Sequence, residues 1–235
     1  MYTGNDLILM TGPPGSRWSG LARAITSNVA VNVSDEKKEF TYSKVNNNSP
    51  DLNGWHRGVY FGPYHMYGKH FDRLNLLSKE EILEEFQKPF KNWDGVKVIK
   101  SHWFAYHLPL LRKMFPEAKI VAVYNDAQKS FDHWHSVGGW NITYPHYDWY
   151  INDTVMKKQI DIENKFIVEF FDGIPSTRES IKELYLELGL PAEMHCDEVL
   201  LERDSMFKDF LKQHKNIKSL FDTIVRNRHV GVSTH

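Results

Sequence analysis

One cysteine, Cys196, is all this 235-residue chain contains. A lone thiol excludes an internal disulfide and any cysteine-based metal site; its expected role is an inert structural one in a reducing compartment. Charge of one sign is also lacking. The 29 Lys and Arg against 30 Asp and Glu leave a formal net charge of −1, so no overall field draws the chain to nucleic acid. No apolar run approaches the roughly 20 residues that cross a bilayer. The opening Met-Tyr-Thr-Gly-Asn-Asp has no basic region before its apolar run, as a secretory leader would. These absences predict a cytoplasmic protein with neither nucleic acid nor membrane as partner. Repeats, low-complexity tracts and domain boundaries are absent too. What is present is ordinary globular composition, 41% apolar and 25% charged, enough to offset the entropy of ordering one domain over residues 1–235.

Apolar runs alternate with helical patterns along the chain. Asp6–Thr11, Val96–Lys100, Ala118–Tyr124 and Phe166–Phe171 read as buried strands, and Asn28–Val33, with alternating valines, as a further one. Helices are predicted over Trp18–Ser27, from Ser78 as N-cap with Glu81 closing a capping box, over Leu108–Phe115 and Gln128–His135, from Ser176 or Thr177 to Leu188 with Gly189 as terminator, and over most of Glu198–Val225. Residues from about 34 to 77 lose periodicity and read as a long excursion on the substrate side. The alternation predicts an α/β fold of three layers, a mainly parallel central sheet with helices on both faces. Ligands of such sheets sit beyond the carboxyl ends of the strands. That directs attention to the loops after Thr11, Lys100, Tyr124 and Phe171.

The loop after the first strand is Gly12-Pro13-Pro14-Gly15-Ser16-Arg17-Trp18-Ser19. Glycines permit its turn, and amides at the start of the following helix suit an anion, with Arg17 adding charge. A plain strand-to-helix connection is the competing reading. The loop begins like G-x-x-x-x-G-K-[ST], but Arg17-Trp18-Ser19 stands where Gly-Lys-Ser belongs, which disfavours an ordinary ATPase or kinase. The 12 histidines invite a metal. His133 and His135, however, point ~200° apart on a helix and cannot share one. On that helix Phe131 and Trp134 are expected in the core. The aromatic-rich segment Gly138–Tyr147 suits either an acceptor pocket or lid packing.

In five places the chain resembles the sulfotransferases, enzymes of P-loop-type fold that use 3′-phosphoadenosine-5′-phosphosulfate (PAPS) as sulfuryl donor. The loop from Thr11 is similar to the family's Thr-Tyr-Pro-Lys-Ser-Gly-Thr-Thr-Trp loop for the 5′-phosphosulfate. Thr11 and Pro13 match, and the family's lysine falls on Pro14. Val98-Ile99-Lys100-Ser101-His102 resembles the Lys-Thr-His segment whose histidine deprotonates the acceptor. Phe115-Pro116-Glu117-Ala118-Lys119 matches the Phe-Pro-x-Ala-Lys lead-in to a central strand. Beyond it the family's 3′-phosphate arginine and serine fall on Tyr124 and Asp132, with Ser130 close by. Phe170-Phe171-Asp172 and Leu188-Gly189-Leu190-Pro191 are similar to Tyr-Glu-Asp-Leu and Leu-Gly-x-Pro. Near the C-terminus, Val225–Gly231 resembles the Arg-Lys-Gly-x-x-Gly loop around the 3′-phosphate, with Arg226 matching and Arg228 adding a cation.

The resemblance implies transfer of a sulfuryl group from PAPS to a hydroxyl or amine of a small-molecule or glycan acceptor, without a metal. His102 would be the base with Lys100 beside it. Gly12, Pro13, Gly15, Ser16, Arg17, Trp18, Ser130, Arg226 and Arg228 would hold the donor. Two other readings stay open. One is a sulfotransferase-like fold that only binds, favoured by Pro14, Tyr124 and Asp132. The other is a phosphotransferase with an atypical loop, using Asp126 or Asp172 for Mg²⁺.

Overall fold

The computed structural model describes residues 6–37, 59, 61, 68, 70–137, 153–170, 174–175 and 181–192. Strand β1, Leu7–Thr11, is buried along its whole length. It lies between β2, Lys97–Lys100, and β3, Lys119–Tyr124; a two-residue β4, Ile174–Pro175, completes the order β2-β1-β3-β4. Every pairing is parallel, with Ile8 opposite Val98 on one side and opposite Lys119 on the other. A central parallel strand meets protein on both faces, which is why Leu-Ile-Leu-Met reads as a continuous apolar run.

Successive side chains of β1 serve different layers. Ile8 and Met10 face a layer built from α1, Trp18–Thr26, α4, Ala127–Val137, α5, Asp153–Phe170, and α6, Ile181–Leu188; Leu21, Ile25, Trp134, Ile160 and Leu184 fill it. Leu7 and Leu9 face the opposite layer, with α2, Lys79–Gln87, and α3, Leu108–Met114. Its centre is a cluster of Phe61, Phe71, Phe86 and Phe104, with ring centroids 5.7–6.0 Å apart. Each such fully buried side chain contributes roughly 1.5–3 kcal/mol before ordering entropy is subtracted. The fold is therefore α/β, with a parallel sheet covered on both faces, as expected. None of the helices among the described residues is long and apolar enough to cross a membrane.

Local signals acted where they were read. Ser78 and Glu81 form the capping box of α2, with Ser78 Oγ accepting from Glu81 N and Glu81 Oε2 accepting from Ser78 N at 2.7 Å. Gly189, at φ 71°, ends α6. Its N–H donates to Leu186 O, and that of Leu190 to Tyr185 O, the paired bonds of a left-handed glycine cap.

Two expectations are corrected. Phe166–Phe171 is no strand: residues through Phe170 belong to the 18-residue helix α5. Met156, Ile160 and Ile167 are buried at helical spacing, and the short Phe-Ile-Val run is simply its last turns. Asn28–Val33 is not a strand either. Val31 makes a single bridge to Val96, Val29 is 68% exposed, and Asn28 Oδ1 accepts from Ala30 N in a local turn. Within the expected excursion, several residues enter the core. Val59 and Phe61 are fully buried, Phe61 N donates to Lys100 O, and a 3₁₀ helix at Phe71–Leu76 packs beneath the sheet. Residues 38–58, the Gly138–Tyr147 segment, the expected cap at Ser176 or Thr177, and the expected helix at Glu198–Val225 lie outside the described residues.

Candidate functional site

Two segments leave the carboxyl ends of adjacent strands and meet. The first is the glycine loop after β1. Ser16 N donates to Pro13 O at 3.1 Å, which closes the turn. Gly15 sits at φ 75°, and a Cβ there would stand 1.9 Å from Ser130 O. Only glycine allows this loop to lie against α4 so closely. Gly12 is crowded too: a Cβ would meet Trp18 Cβ at 2.8 Å and Ser16 Oγ at 3.0 Å. Arg17 follows in left-handed conformation, at φ 65°, and no side chain caps α1. The start of such a helix carries positive potential and suits an anion.

The second segment follows β2. Ser101 N continues the ladder by donating to Met10 O at 3.0 Å. Ser101 Oγ accepts from Trp103 N at 3.2 Å and starts a 3₁₀ helix over His102–His107. His102 is thus the second residue past the strand end, held by a cap that the Lys-Ser-His sequence itself supplies. Thr11 Oγ1 donates to its carbonyl at 3.4 Å.

The imidazole of His102 lies on the glycine loop. Its Nδ1 is 2.6 Å from Gly12 O, and the ring meets Trp18 edge-on at 4.8 Å. A carbonyl oxygen only accepts, so Nδ1 carries the hydrogen and Nε2 is the basic nitrogen. Burial lowers the pKa of His102 to about 4, opposed by the hydrogen bond to Gly12. The ring is therefore neutral at pH 7.

Beneath the histidine stands a carboxyl that the sequence reading missed. Glu163 of α5 is fully buried. Its Oε1 accepts from Gln159 Nε2 at 2.8 Å and from Tyr106 Oη at 3.2 Å. Its Oε2 has no hydrogen-bond partner and lies 3.9 Å from His102 Nδ1. Burial raises the Glu163 pKa to about 8, against the two hydrogen bonds that lower it. The Tyr106 hydroxyl is pushed upward by burial and by the facing carboxyl. The available signal was a charge at a core position of a helical stripe, Met156, Ile160, Glu163, Ile167, and it was hidden because the end of that helix read as a strand.

Lys100 is buried at the end of β2. Burial lowers its pKa, while Glu36 opposes that shift; burial raises Glu36 in turn, and the Lys100 charge pulls it back. Lys100 is thus electrostatically tied to the segment after α1. Ser130 is fully buried against the glycine loop. The hydroxyls of Ser16 and Ser130 are both buried without a partner. Asp132, by contrast, is exposed and accepts from Gln128 Nε2 at 2.7 Å. Asp126 Oδ1 accepts from Lys129 N at 2.8 Å, capping α4. His135 Nε2 stands 3.7 Å from Asp153 Oδ2, and Phe131 and Trp134 are in the core as expected. Arg226, Arg228 and Asp172 lie outside the described residues.

The structure thus brings together Gly12, Pro13, Gly15, Ser16, Trp18, His102 and Ser130, with Arg17 exposed at the loop's outer edge. No protein-family model matches this chain, and no curated protein matches it. Among solved structures, a sulfotransferase from Alicyclobacillus acidocaldarius is similar to it over 93% of this chain and 98% of that one, at 13% identity and a TM-score of 0.43.

Proposed function

We propose that this chain is a sulfotransferase, moving a sulfuryl group from PAPS to a hydroxyl or amine of a small acceptor. The observation that carries the reading is the 2.6 Å contact between His102 Nδ1 and Gly12 O. It places a neutral imidazole, with Nε2 as its basic nitrogen, against the loop best suited to an anion. The same residues were singled out for the two halves of such chemistry: a base and a cradle.

The residues present fit an anionic donor in one respect and miss it in another. Two buried hydroxyls without partners, on Ser16 and Ser130, flank Gly15 and are donors in need of an acceptor. The uncapped start of α1 and the exposed Arg17 add positive potential. Against this, the Ser16 amide is already used by Pro13 O, and the two prolines have no N–H to give. The cradle therefore relies on the Ser16 and Ser130 hydroxyls, the start of α1 and Arg17, with Arg226 and Arg228 as the proposed partners for a 3′-phosphate. When bound, PAPS supplies an activated sulfuryl group whose leaving group is a stable phosphate.

His102 would take the acceptor proton at Nε2. A pKa near 4 makes it a weak base by itself, and general bases work best near the operating pH. A bound anion beside the ring favours the imidazolium and raises that pKa toward neutrality. The weak basicity of the imidazole follows from its burial, which a neighbouring negative charge would offset. Lys100, from within the sheet edge, would add positive potential to the same end of the strands.

The test is calorimetric titration with 3′-phosphoadenosine-5′-phosphate without metal, beside ADP and ATP with Mg²⁺. Micromolar binding of the 3′-phosphorylated nucleotide, weakened about tenfold or more by Arg17→Ala or Arg226→Ala, is the expected result. Mg²⁺-dependent ATP binding without it would replace the proposal with the phosphotransferase reading. Binding of neither would leave no sulfuryl donor to transfer from.

A further inference from the structure

The carboxyl beneath the imidazole has an asymmetry that packing alone does not require. Glu163 Oε1 receives two donors, Tyr106 Oη and Gln159 Nε2. Oε2 receives none, although the whole side chain is out of solvent. A buried carboxyl oxygen without a partner costs free energy, more if charged. Oε2 lies 3.9 Å from His102 Nδ1. A helix that needed only bulk at this position would carry Leu or Met, as at Met156 and Ile160.

We propose that Glu163 is a positioning residue for His102, its Oε1 clamped by Tyr106 and Gln159 so that Oε2 faces the Nδ1 side of the imidazole and, once the carboxyl has lost its proton to solvent, sets the charge beside the ring. The Nδ1–H is held by Gly12 O, and the carboxyl stands behind that bond. Tyr106 comes from the same 3₁₀ turn as His102 and Gln159 from the turn of α5 below Glu163, so the clamp joins the two elements. The proposal rests on His102 being the base, but the geometry it describes exists whatever the ligand.

The carboxyl is neutral at pH 7 and ionises near pH 8 when the imidazole is neutral. An ionised carboxylate 3.9 Å from the ring alters the ring's electronic environment. Among the described residues, other ionisable groups at this end of the sheet include Arg17, His107, lowered by burial, Lys100, lowered by burial, Glu36, raised by burial, and Tyr106, raised by burial. Lys100, lowered to about 8, and Glu36, raised to about 7 and facing Lys100, titrate near the same pH, and Lys100→Met removes the charge that ties these two together.

The experiment is a pH titration from 3 to 10 of the His102 imidazole by nitrogen-15 NMR, on the full chain with labelled histidine. The His102 signal is assigned by its loss in His102→Asn. Wild type is expected to show the main acidic step plus a smaller alkaline inflection. Glu163→Gln is expected to lose the alkaline inflection, and Lys100→Met to keep it. A wild-type curve with no alkaline inflection overturns the proposal. So does an inflection that survives Glu163→Gln or vanishes in Lys100→Met. Should Glu163→Gln fail to fold, wild type and Lys100→Met decide by themselves. None of these outcomes requires nucleotide or turnover. Failure of 3′-phosphoadenosine-5′-phosphate to bind would therefore sink sulfuryl transfer while leaving the carboxyl–imidazole pair to stand or fall on the titration.

Discussion

His102 Nδ1 and Gly12 O lie 2.6 Å apart across 90 residues of sequence. The contact ties the loop after β1 to the turn after β2 and assigns the ring's tautomer. Removing the base while keeping the donor separates the two effects. In His102→Asn a side-chain N–H remains for Gly12 O. Transfer is expected to fall about 10²–10⁴-fold, with nucleotide affinity within about threefold of wild type. Initial rates and calorimetry on the same preparation check this. Unchanged turnover would remove His102 from the base role.

Gly15 is the position where the loop admits no side chain. Its φ is 75°, and a Cβ would stand 1.9 Å from the Ser130 carbonyl, a backbone atom that cannot swing away. Gly15→Ala is expected to destabilise the fold by about 2–4 kcal/mol, read as a lower urea midpoint. Gly189→Ala is the comparison. It has the same sign of φ, but nothing lies within 4 Å of its Cβ, so only about 1 kcal/mol is expected there.

Stability should depend on pH through Glu163. Its folded pKa is raised from 4.5 to about 8, so between those values the folded state holds a proton the unfolded chain has lost. Its contribution is complete below about pH 4.5 and disappears as pH rises through 8. His102 has the opposite sign: its folded pKa is lowered from 6.5 to about 4, and its contribution is lost as pH falls through that interval. Above pH 6.5 only the carboxyl of this pair acts. Wild type is expected to lose on the order of 1–2 kcal/mol between pH 6.5 and 8 that Glu163→Gln does not lose. Urea melts of both proteins at the two pH values measure the difference.

Lys97 and Asp35 form an ion pair at 2.6 Å with side chains 0% and 7% exposed. Asn32 O also accepts from Lys97 Nζ at 3.3 Å, and Asp35 Oδ2 accepts from Asn92 N at 3.3 Å. The pair pins the segment after α1 to the edge strand β2. Asp35→Leu leaves a buried ammonium without its carboxylate and is expected to cost about 3–5 kcal/mol. Adding Lys97→Met should recover part of that loss, because the uncompensated charge is then gone. Urea unfolding of the single and double variants tests the pairing, and no recovery in the double would refute it.

Much of the fold was legible because its signals are local. The buried strands at Leu7–Thr11, Lys97–Lys100 and Lys119–Tyr124 announced themselves as short apolar runs. Ser78 with Glu81 and Gly189 marked their helix ends by hydrogen bonds within a few residues. The misread places are those where a short window and a long one disagree. Phe166–Phe171 has the composition of a strand, yet Met156, Ile160 and Ile167 give α5 its helical face over a longer span. Val31 pairs at one point only, because Asn28 turns the chain locally.

The candidate site divides the same way. The glycine loop and His102 were visible in sequence, since loop chemistry and the position past a strand end are written in neighbouring residues. Glu163 was not: its relation to His102 spans 61 residues and exists only because α5 packs against the turn after β2. The sequence by itself determined the three central strands, where the glycines turn and which histidine follows a strand. Only the tertiary structure decided that the imidazole rests on Gly12 O, that Gly15 meets Ser130 backbone, and that a carboxyl stands in the dark behind the ring. The reason is physical. Hydrogen bonds of caps and turns close within a few residues. Burial, which sets the protonation of His102 and Glu163, is a property of everything packed around them.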